Sequence, residues 1–168
     1  MDISMIKEKF IKALKNNYDL KYEEKLMGEV FDIIGEYNIR NSKYVLSKKA
    51  EIYSFKNEER IFIKHIKSIE KVYLDKLKNK ISNDIEQLVN IDSEHMSTDL
   101  NFIFIVDKKI DDNIQRYIKK FKYHKSFLFG LKGWVNVKLY VYDMNSETLY
   151  TNRFGKKSVK EMKKILCA

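Results

Sequence analysis

The sequence lacks the residues that build disulfide frameworks, metal centres and rigid linkers. Proline is absent, glycine occurs five times, and Cys167 is the one cysteine. A single cysteine excludes an intramolecular disulfide and a thiolate cluster for zinc or iron–sulfur. We therefore expect a reducing, cytoplasmic location. No glycine or proline lies between Gly35 and Gly130, so no linker or repeat is visible, and we expect a single domain over residues 1–168.

Long apolar runs are missing as well. The longest strongly apolar run is Phe102 to Val106, far short of the roughly 20 residues that span a bilayer. The N-terminal stretch places Ile6, Phe10 and Leu14 at helical spacing among charged residues, which predicts an amphipathic helix and not a signal peptide. We therefore expect no membrane partner.

What is present is a composition typical of an ordered globular protein. Hydrophobic residues make up 44% of the 168 residues and aromatic residues 13%. A chain of this length buries about two-thirds of its unfolded surface in one core. Intrinsic disorder is excluded, because disordered chains lack the large apolar side chains that offset the entropy of ordering.

Charge is distributed unevenly along the chain. Residues 1–107 hold 18 Lys and Arg against 19 Asp and Glu, whereas residues 108–168 hold 15 against 5, so the last third carries the whole excess behind the net charge of +9. Such asymmetry indicates a partner with negative charge. The 29 lysines and 4 arginines favour nonspecific phosphate contacts, since base reading relies on arginine forks.

Hydrophobic periodicity predicts an alternation of helices and strands. The predicted elements are a helix over 4–16, strands over 26–39, 43–55 and 60–66, a long helix capped by Ser68 and bent or split within 79–84, a central strand over 100–106, a helix beginning at Asp107 or Asp111, a hairpin of strand 134–143 with a short strand ending near Asn152, and a final helix after Gly155 and Ser158. The fold class is α+β (mixed α/β): a single sheet with an antiparallel three-strand meander, a central strand and a C-terminal hairpin, flanked by helices in the order α-βββ-α-β-α-ββ-α.

The stretch KYHKSFLFGLKGW, residues 122–134, is the most unusual segment. One part predicts structure: Phe127, Phe129 and Leu131 anchor the end of the core, and Gly130 and Gly133 let the backbone turn. The other part is basic. The candidate binding residues are its cations and rings and those of the following segments: Lys122, His124, Lys125, Lys132, Trp134, Lys138, Arg153, Lys156 and Lys157.

These residues favour a noncatalytic binding domain. The first hypothesis is that the lysines contact the phosphates of nucleic acid or another polyanion while exposed rings stack on bases. The second is a protein-interaction or homo-oligomerisation domain in which the same rings form a partner-facing patch. We assign no catalytic residue, no metal ligand and no cofactor, because His65, His95 and His124 are far apart and no nucleophile motif occurs.

The order of elements within residues 4–106 resembles the restriction-endonuclease-like fold of the PD-(D/E)XK superfamily. That resemblance implies an acidic residue on the second strand and Glu-x-Lys or Asp-x-Lys on the third, where carboxylates hold magnesium and the lysine positions water. Here the second strand carries Lys49-Ala50-Glu51, in reverse order, and no acid stands two residues before Lys64. We therefore carry over no catalytic residue.

A metal-dependent nuclease on Glu29, Asp32 and Glu51 is the weaker alternative. We expect the acids of the first predicted strand to lie on a solvated edge, because Asp32 and Glu36 share a parity that Glu29 lacks. The chain as a whole also resembles a small, uncharacterised bacterial domain family, and that resemblance implies no function.

Overall fold

A computed structural model describes residues 2–37, 56–91 and 95–167 of the chain. Its helices are α1 (Ile3–Leu14), α2 (Lys71–Asn83), α3 (Ile85–Leu88), α4 (Asp112–Lys120) and α5 (Val159–Cys167). Its strands are β1 (Tyr18–Leu26), β2 (Glu29–Tyr37), β3 (Lys56–Ile66), β4 (His95–Val106), β5 (His124–Ser126), β6 (Trp134–Asp143) and β7 (Thr148–Thr151).

The strands form one mixed sheet in the order β1-β2-β3-β4-β6-β5. Strands β1, β2 and β3 make an antiparallel meander, and β3, β4 and β6 run parallel to one another. Both β5 and β7 pair antiparallel with β6, β5 along residues 134–136 and β7 along residues 140–143. The α+β class, the central strand and the C-terminal hairpin predicted from the sequence are confirmed. An antiparallel three-strand meander is present as predicted, but its first strand, β1, was not among the predicted strands.

Helices cover both faces of this sheet. On one face, α2, α3 and α4 pack on a core that includes Phe62 and Phe102, whose stacked rings have centroids 4.7 Å apart. On the other face, α1 and α5 pack on a second core that includes Ile103 and Ile105. Successive residues of β4 therefore enter opposite cores, which is why its C-terminal half reads as a continuous apolar run.

The meander begins earlier in the chain than the sequence predicts. Residues 18–26 form strand β1, where no strand was predicted, and β2 ends at Tyr37 and not at residue 39. Met27 and Gly28 turn between them with φ of 53° and 73°, a left-handed conformation that suits a tight hairpin. Tyr18, Leu20 and Tyr22 alternate with charged residues, but Glu23-Glu24 breaks the alternation and most of the strand is exposed, so its apolar signal is weak. The predicted strand 43–55 lies outside the described residues.

The observed ends of the helices can be compared with the predicted ones. Helix α2 begins after Glu70 and not at Ser68. The predicted break within 79–84 is confirmed at Asp84, between α2 and α3. Of the two predicted starts of α4, Asp107 and Asp111, the structure selects Asp111 as the N-cap, because its side chain accepts a hydrogen bond from the Ile114 backbone N–H at 2.9 Å.

No helix within the described ranges combines the length and apolar character that crossing a membrane requires. The longest of them, α2, has charged residues through its sequence. Short, amphipathic helices of this kind are instead stabilised by packing one apolar stripe on the sheet.

Candidate functional site

The loop that joins β5 to β6 is the most distinctive surface feature of the structure. We call residues 127–133 the tip loop. Its ends are closed by a hydrogen bond from the Phe127 N–H to the Gly133 carbonyl at 2.9 Å, and the Lys132 N–H donates to the Phe127 carbonyl at 3.2 Å. A short 3-10 turn over Leu128–Gly130 fills the loop. The segment is therefore an ordered turn that is closed by its own backbone hydrogen bonds.

The backbone of the tip loop adopts an unusual conformation. Leu128 and Phe129 have φ of 45° and 54°, in the left-handed region that costs a residue with a side chain about 1 kcal/mol. Gly130 and Gly133 follow with φ of 90° and 77°, so the turn predicted for the two glycines is confirmed. Two bulky apolar residues stand where glycine or asparagine is usual.

This backbone directs apolar side chains into solvent. Phe129 is fully exposed, Leu131 is 87% exposed, and Leu128 and Trp134 are exposed as well. The prediction that Phe129 and Leu131 anchor the core is wrong, whereas Phe127 does pack against the core beneath α2 and α4. Of the apolar side chains of the loop, Phe127 packs on the core and the other three lie in solvent.

The surroundings of the tip loop are basic. The thirty residues between Asp112 and Asp143 contain seven Lys and Arg and no Asp or Glu. Lys120 and Lys122 are exposed at the end of α4 and just after it. The Nζ atom of Lys125 lies 5.7 Å from the centroid of the Phe127 ring, within the range of a cation–π contact. We call the three exposed lysines at 120, 122 and 125 the basic rim.

A second basic segment lies next to β5. The Nδ1 atom of His124 is 2.7 Å from Oδ1 of Asn136, and its ring stacks on Phe154 with centroids 6.5 Å apart. This contact holds the turn at 153–155, and with it Arg153, beside β5. Lys156 and Lys157 follow as exposed residues. Phe154 was missed from the sequence, because nothing in its spacing pairs it with a residue thirty positions earlier.

Lys138 has a different environment from the other predicted residues. Its side chain is 15% exposed, and its Nζ atom lies 2.8 Å from Asp99 Oδ2 and 3.8 Å from Glu59 Oε1. Asn101 Nδ2 donates to the same Glu59 oxygen at 3.0 Å. Two carboxylates thus balance the charge of Lys138, so we build no interface on this residue.

The acidic residues Glu29 and Asp32 of β2 pair with lysine side chains. Glu29 accepts hydrogen bonds at 2.7 Å from Lys64, Lys80 and Tyr73. Burial alone raises the pKa of Glu29, but these three donors outweigh it and lower the pKa to about 2. Asp32 pairs with Lys7 at 2.6 Å and accepts from the His65 backbone N–H. These carboxylates connect structural elements.

Residues that could together bind a metal ion are not found in the part of the chain that the structure describes. No three His, Cys, Asp or Glu residues come together there in a way that could hold an ion. Glu51, the third acid of the nuclease alternative, lies outside the described residues.

An open groove of about 420 Å³ lies between α1 and α5. It is lined by Met5, Glu8, Lys9, Lys12, Ala13 and Ile165. Its floor is mainly apolar, and nothing in the structure indicates what would occupy it. The tip loop and its basic rim are therefore the stronger candidate for a functional surface.

The sequence matches the model of one protein family. A family described as "Domain of unknown function (DUF8052)" matches residues 2–164. The chain belongs to this family. No curated protein matches the sequence. The match confirms the expected kinship with an uncharacterised domain family.

The DUF8052 match extends from α1 into α5 and includes the tip loop and the basic rim. Both features therefore lie within the family domain. Since the family description assigns no activity, the function of a DUF8052 domain has to be argued from the chemistry of its surface.

Proposed function

We propose that this chain is a noncatalytic binding domain for an anionic partner, nucleic acid or another polyanion, which it contacts through its basic C-terminal third. One observation carries the proposal: the fully exposed ring of Phe129 and the exposed ring of Trp134 lie beside lysines in a segment without acids. Rings that stack and lysines that contact phosphates are the usual parts of such a surface.

The contacts divide between the two basic segments. Lys122 and Lys125 precede the tip loop and Lys132 lies within it, and they would meet the phosphates of a partner that lies along the β5 edge. His124, Arg153, Lys156 and Lys157 extend the surface on the other side of β5. The stack of His124 on Phe154 fixes the spacing between the two segments, which supports binding without a large rearrangement.

Charge reversal tests this proposal. Fluorescence anisotropy with a labelled single-stranded DNA should show binding that weakens as salt rises. Replacing Lys120, Lys122 and Lys125 by Glu should weaken it strongly. The matched control replaces Lys15, Lys76 and Lys78, exposed lysines near α1 and on α2, and should bind almost as the wild type does. No binding to any polyanion at low salt, or equal effects of the two variants, would overturn the proposal.

A second candidate function is protein interaction or self-association. Leu128 and Leu131 favour it, because aliphatic side chains offer no face for stacking and are exposed beside Phe129. Light scattering would then show an oligomer that Leu131→Ser reduces to a monomer. A strict monomer at high concentration, together with no partner recovered from cells, would count against this function.

A metal-dependent nuclease has less support than either binding function. The order of helix, meander, crossover helix and parallel strand supports the restriction-endonuclease-like layout, but the cation pairs of Glu29 and Asp32 do not favour a metal-dependent nuclease. Unchanged DNA and RNA after long incubation with Mg²⁺ or Mn²⁺ would remove that alternative.

The low cysteine content supports a cytoplasmic location, which microscopy of a fluorescent fusion would test.

A further inference from the structure

We infer that the anionic partner of the tip loop is the surface of a lipid bilayer that contains anionic lipids, into which Leu128, Phe129 and Leu131 insert. The inference rests on the proposed function, since it names the partner of the same surface.

The shape of the tip loop favours a lipid surface over a nucleic acid strand. Bases stack on flat rings, so a nucleic acid accounts for Phe129 and Trp134 but leaves Leu128 and Leu131 in water. The boundary between headgroups and acyl chains accepts all of these side chains at once, to a depth of about 5–10 Å. A loop whose apolar side chains are this exposed matches this geometry.

The backbone of the tip loop supports insertion without rearrangement. The hydrogen bonds from Phe127, Gly130, Leu131, Lys132 and Gly133 close the loop upon itself. Leu128 and Phe129 are held with their side chains outward despite an unfavourable φ. Because the loop is ordered beforehand, membrane binding incurs little further loss of conformational entropy.

The basic rim supplies charge complementarity to the same surface. Lys125 lies against Phe127 at the start of the tip loop, and Lys120 and Lys122 precede β5 as exposed residues. Such lysines are attracted to the negative potential of anionic lipids. The absence of acids between Asp112 and Asp143 removes repulsion along this segment. Trp134, 38% exposed at the base of the loop, suits the headgroup level, where tryptophan is enriched.

The expectation of no membrane partner rested on the lack of a long apolar run, and that lack concerns membrane-spanning segments. Interfacial binding needs only a few inserted side chains together with basic residues. The finding that no described helix can span a bilayer is therefore compatible with a domain that binds the surface of a bilayer.

Vesicle co-sedimentation tests the inference. The full chain is mixed with phosphatidylcholine vesicles, and in parallel with vesicles in which part of the lipid is phosphatidylserine. We expect binding to the mixed vesicles, and much weaker binding to phosphatidylcholine alone. Phe129→Asn, which keeps the left-handed backbone, should reduce the affinity at least about tenfold. Leu131→Ser should act in the same direction, and serves as a second variant should one of them fold poorly.

Charge variants and a second ligand separate the possible outcomes. The basic-rim triple variant should lose vesicle binding, and the Lys15, Lys76 and Lys78 control should keep it. Binding to single-stranded DNA with none to vesicles would overturn the lipid inference and leave the proposed function standing. Binding to neither would overturn both. Vesicle binding that Phe129→Asn and Leu131→Ser leave unchanged would contradict insertion of the tip.

Discussion

Phe129 combines two features that folding alone does not favour. Its backbone is left-handed, at a cost of about 1 kcal/mol for a residue with a side chain. Its ring is fully exposed, so it contributes no burial in return. Strained residues of this kind often mark functional sites, and here the strain holds an apolar ring where a partner can reach it.

Replacing Phe129 should therefore not weaken the fold. We expect the free energy of unfolding of Phe129→Asn to equal or exceed the wild-type value by up to about 1 kcal/mol, because asparagine tolerates a positive φ. Urea unfolding measures this change. Phe102→Ala, in the buried core, is the reference and should cost about 3–5 kcal/mol. A loss above about 1 kcal/mol for Phe129→Asn would mean that the ring stabilises the loop.

Glu29 makes the stability of the domain depend on pH. Its pKa falls from the ordinary 4.5 to about 2 in the folded state. A carboxyl with a lowered folded pKa contributes stability above its unfolded pKa and loses it as the pH falls through the folded pKa. The contribution should thus be complete above a pH of about 5 and decline towards a pH of about 2.

Urea unfolding of Glu29→Gln at several pH values checks this prediction. At neutral pH the variant should lose roughly 1–3 kcal/mol, because a carboxylate with three donors is replaced by a neutral amide. Its stability should also fall less steeply in acid than that of the wild type. Parallel pH curves for the two proteins would show that Lys64, Lys80 and Tyr73 do not stabilise the charged form.

At the level of elements, Asn152 connects the hairpin to its surroundings. Its Oδ1 accepts from the backbone N–H groups of Leu139 and Gly155, both at 3.1 Å, and its Nδ2 donates to the carbonyls of Val137 and Phe121. The side chain is fully buried. It therefore fixes β6, the end of α4 and the turn at 153–155 relative to one another.

Asn152→Ala should be strongly destabilising. The substitution leaves buried backbone groups without partners, and we expect a loss of about 3 kcal/mol in the free energy of unfolding. Asn145→Ala, at an exposed position in the same hairpin, is the control and should change stability by about 0.5 kcal/mol or less. Similar values for both variants in thermal or urea unfolding would contradict this role.

The sequence could predict the buried elements better than the edges. The apolar run of β4 and the alternation of β6 appear directly in the residues, and both strands form where expected. Strand β1 escaped notice because charged residues protect its exposed edge, and β5 has three residues. The direction of the tip loop could not be predicted, because it depends on the pairing of β5 with β6 and on two left-handed residues that propensity disfavours.

At the scale of the whole molecule, the excess of basic charge and the exposed Phe129 and Leu131 fall in the same third of the chain. The excess of charge in residues 108–168 lies in the same part of the chain as the tip loop. This coincidence predicts strongly salt-dependent binding. For single-stranded DNA the slope of log K against log salt is about −0.7 for each phosphate neutralised.

The basic-rim triple variant should change that slope. Removing three lysine contacts should make the slope less negative by about 2, whereas the control triple variant should leave it unchanged. Anisotropy titrations over a series of salt concentrations provide the measurement. An unaltered slope would place the phosphate contacts elsewhere on the molecule.

The most direct test of the central claim is to map the binding surface by NMR. Backbone amide shifts would be followed while single-stranded DNA, and in a parallel titration anionic bicelles, are added to the isotopically labelled chain. We predict that the largest changes fall within residues 122–134, with smaller ones at 153–157 and few in the groove between α1 and α5. Changes centred on that groove, or none at all, would contradict it.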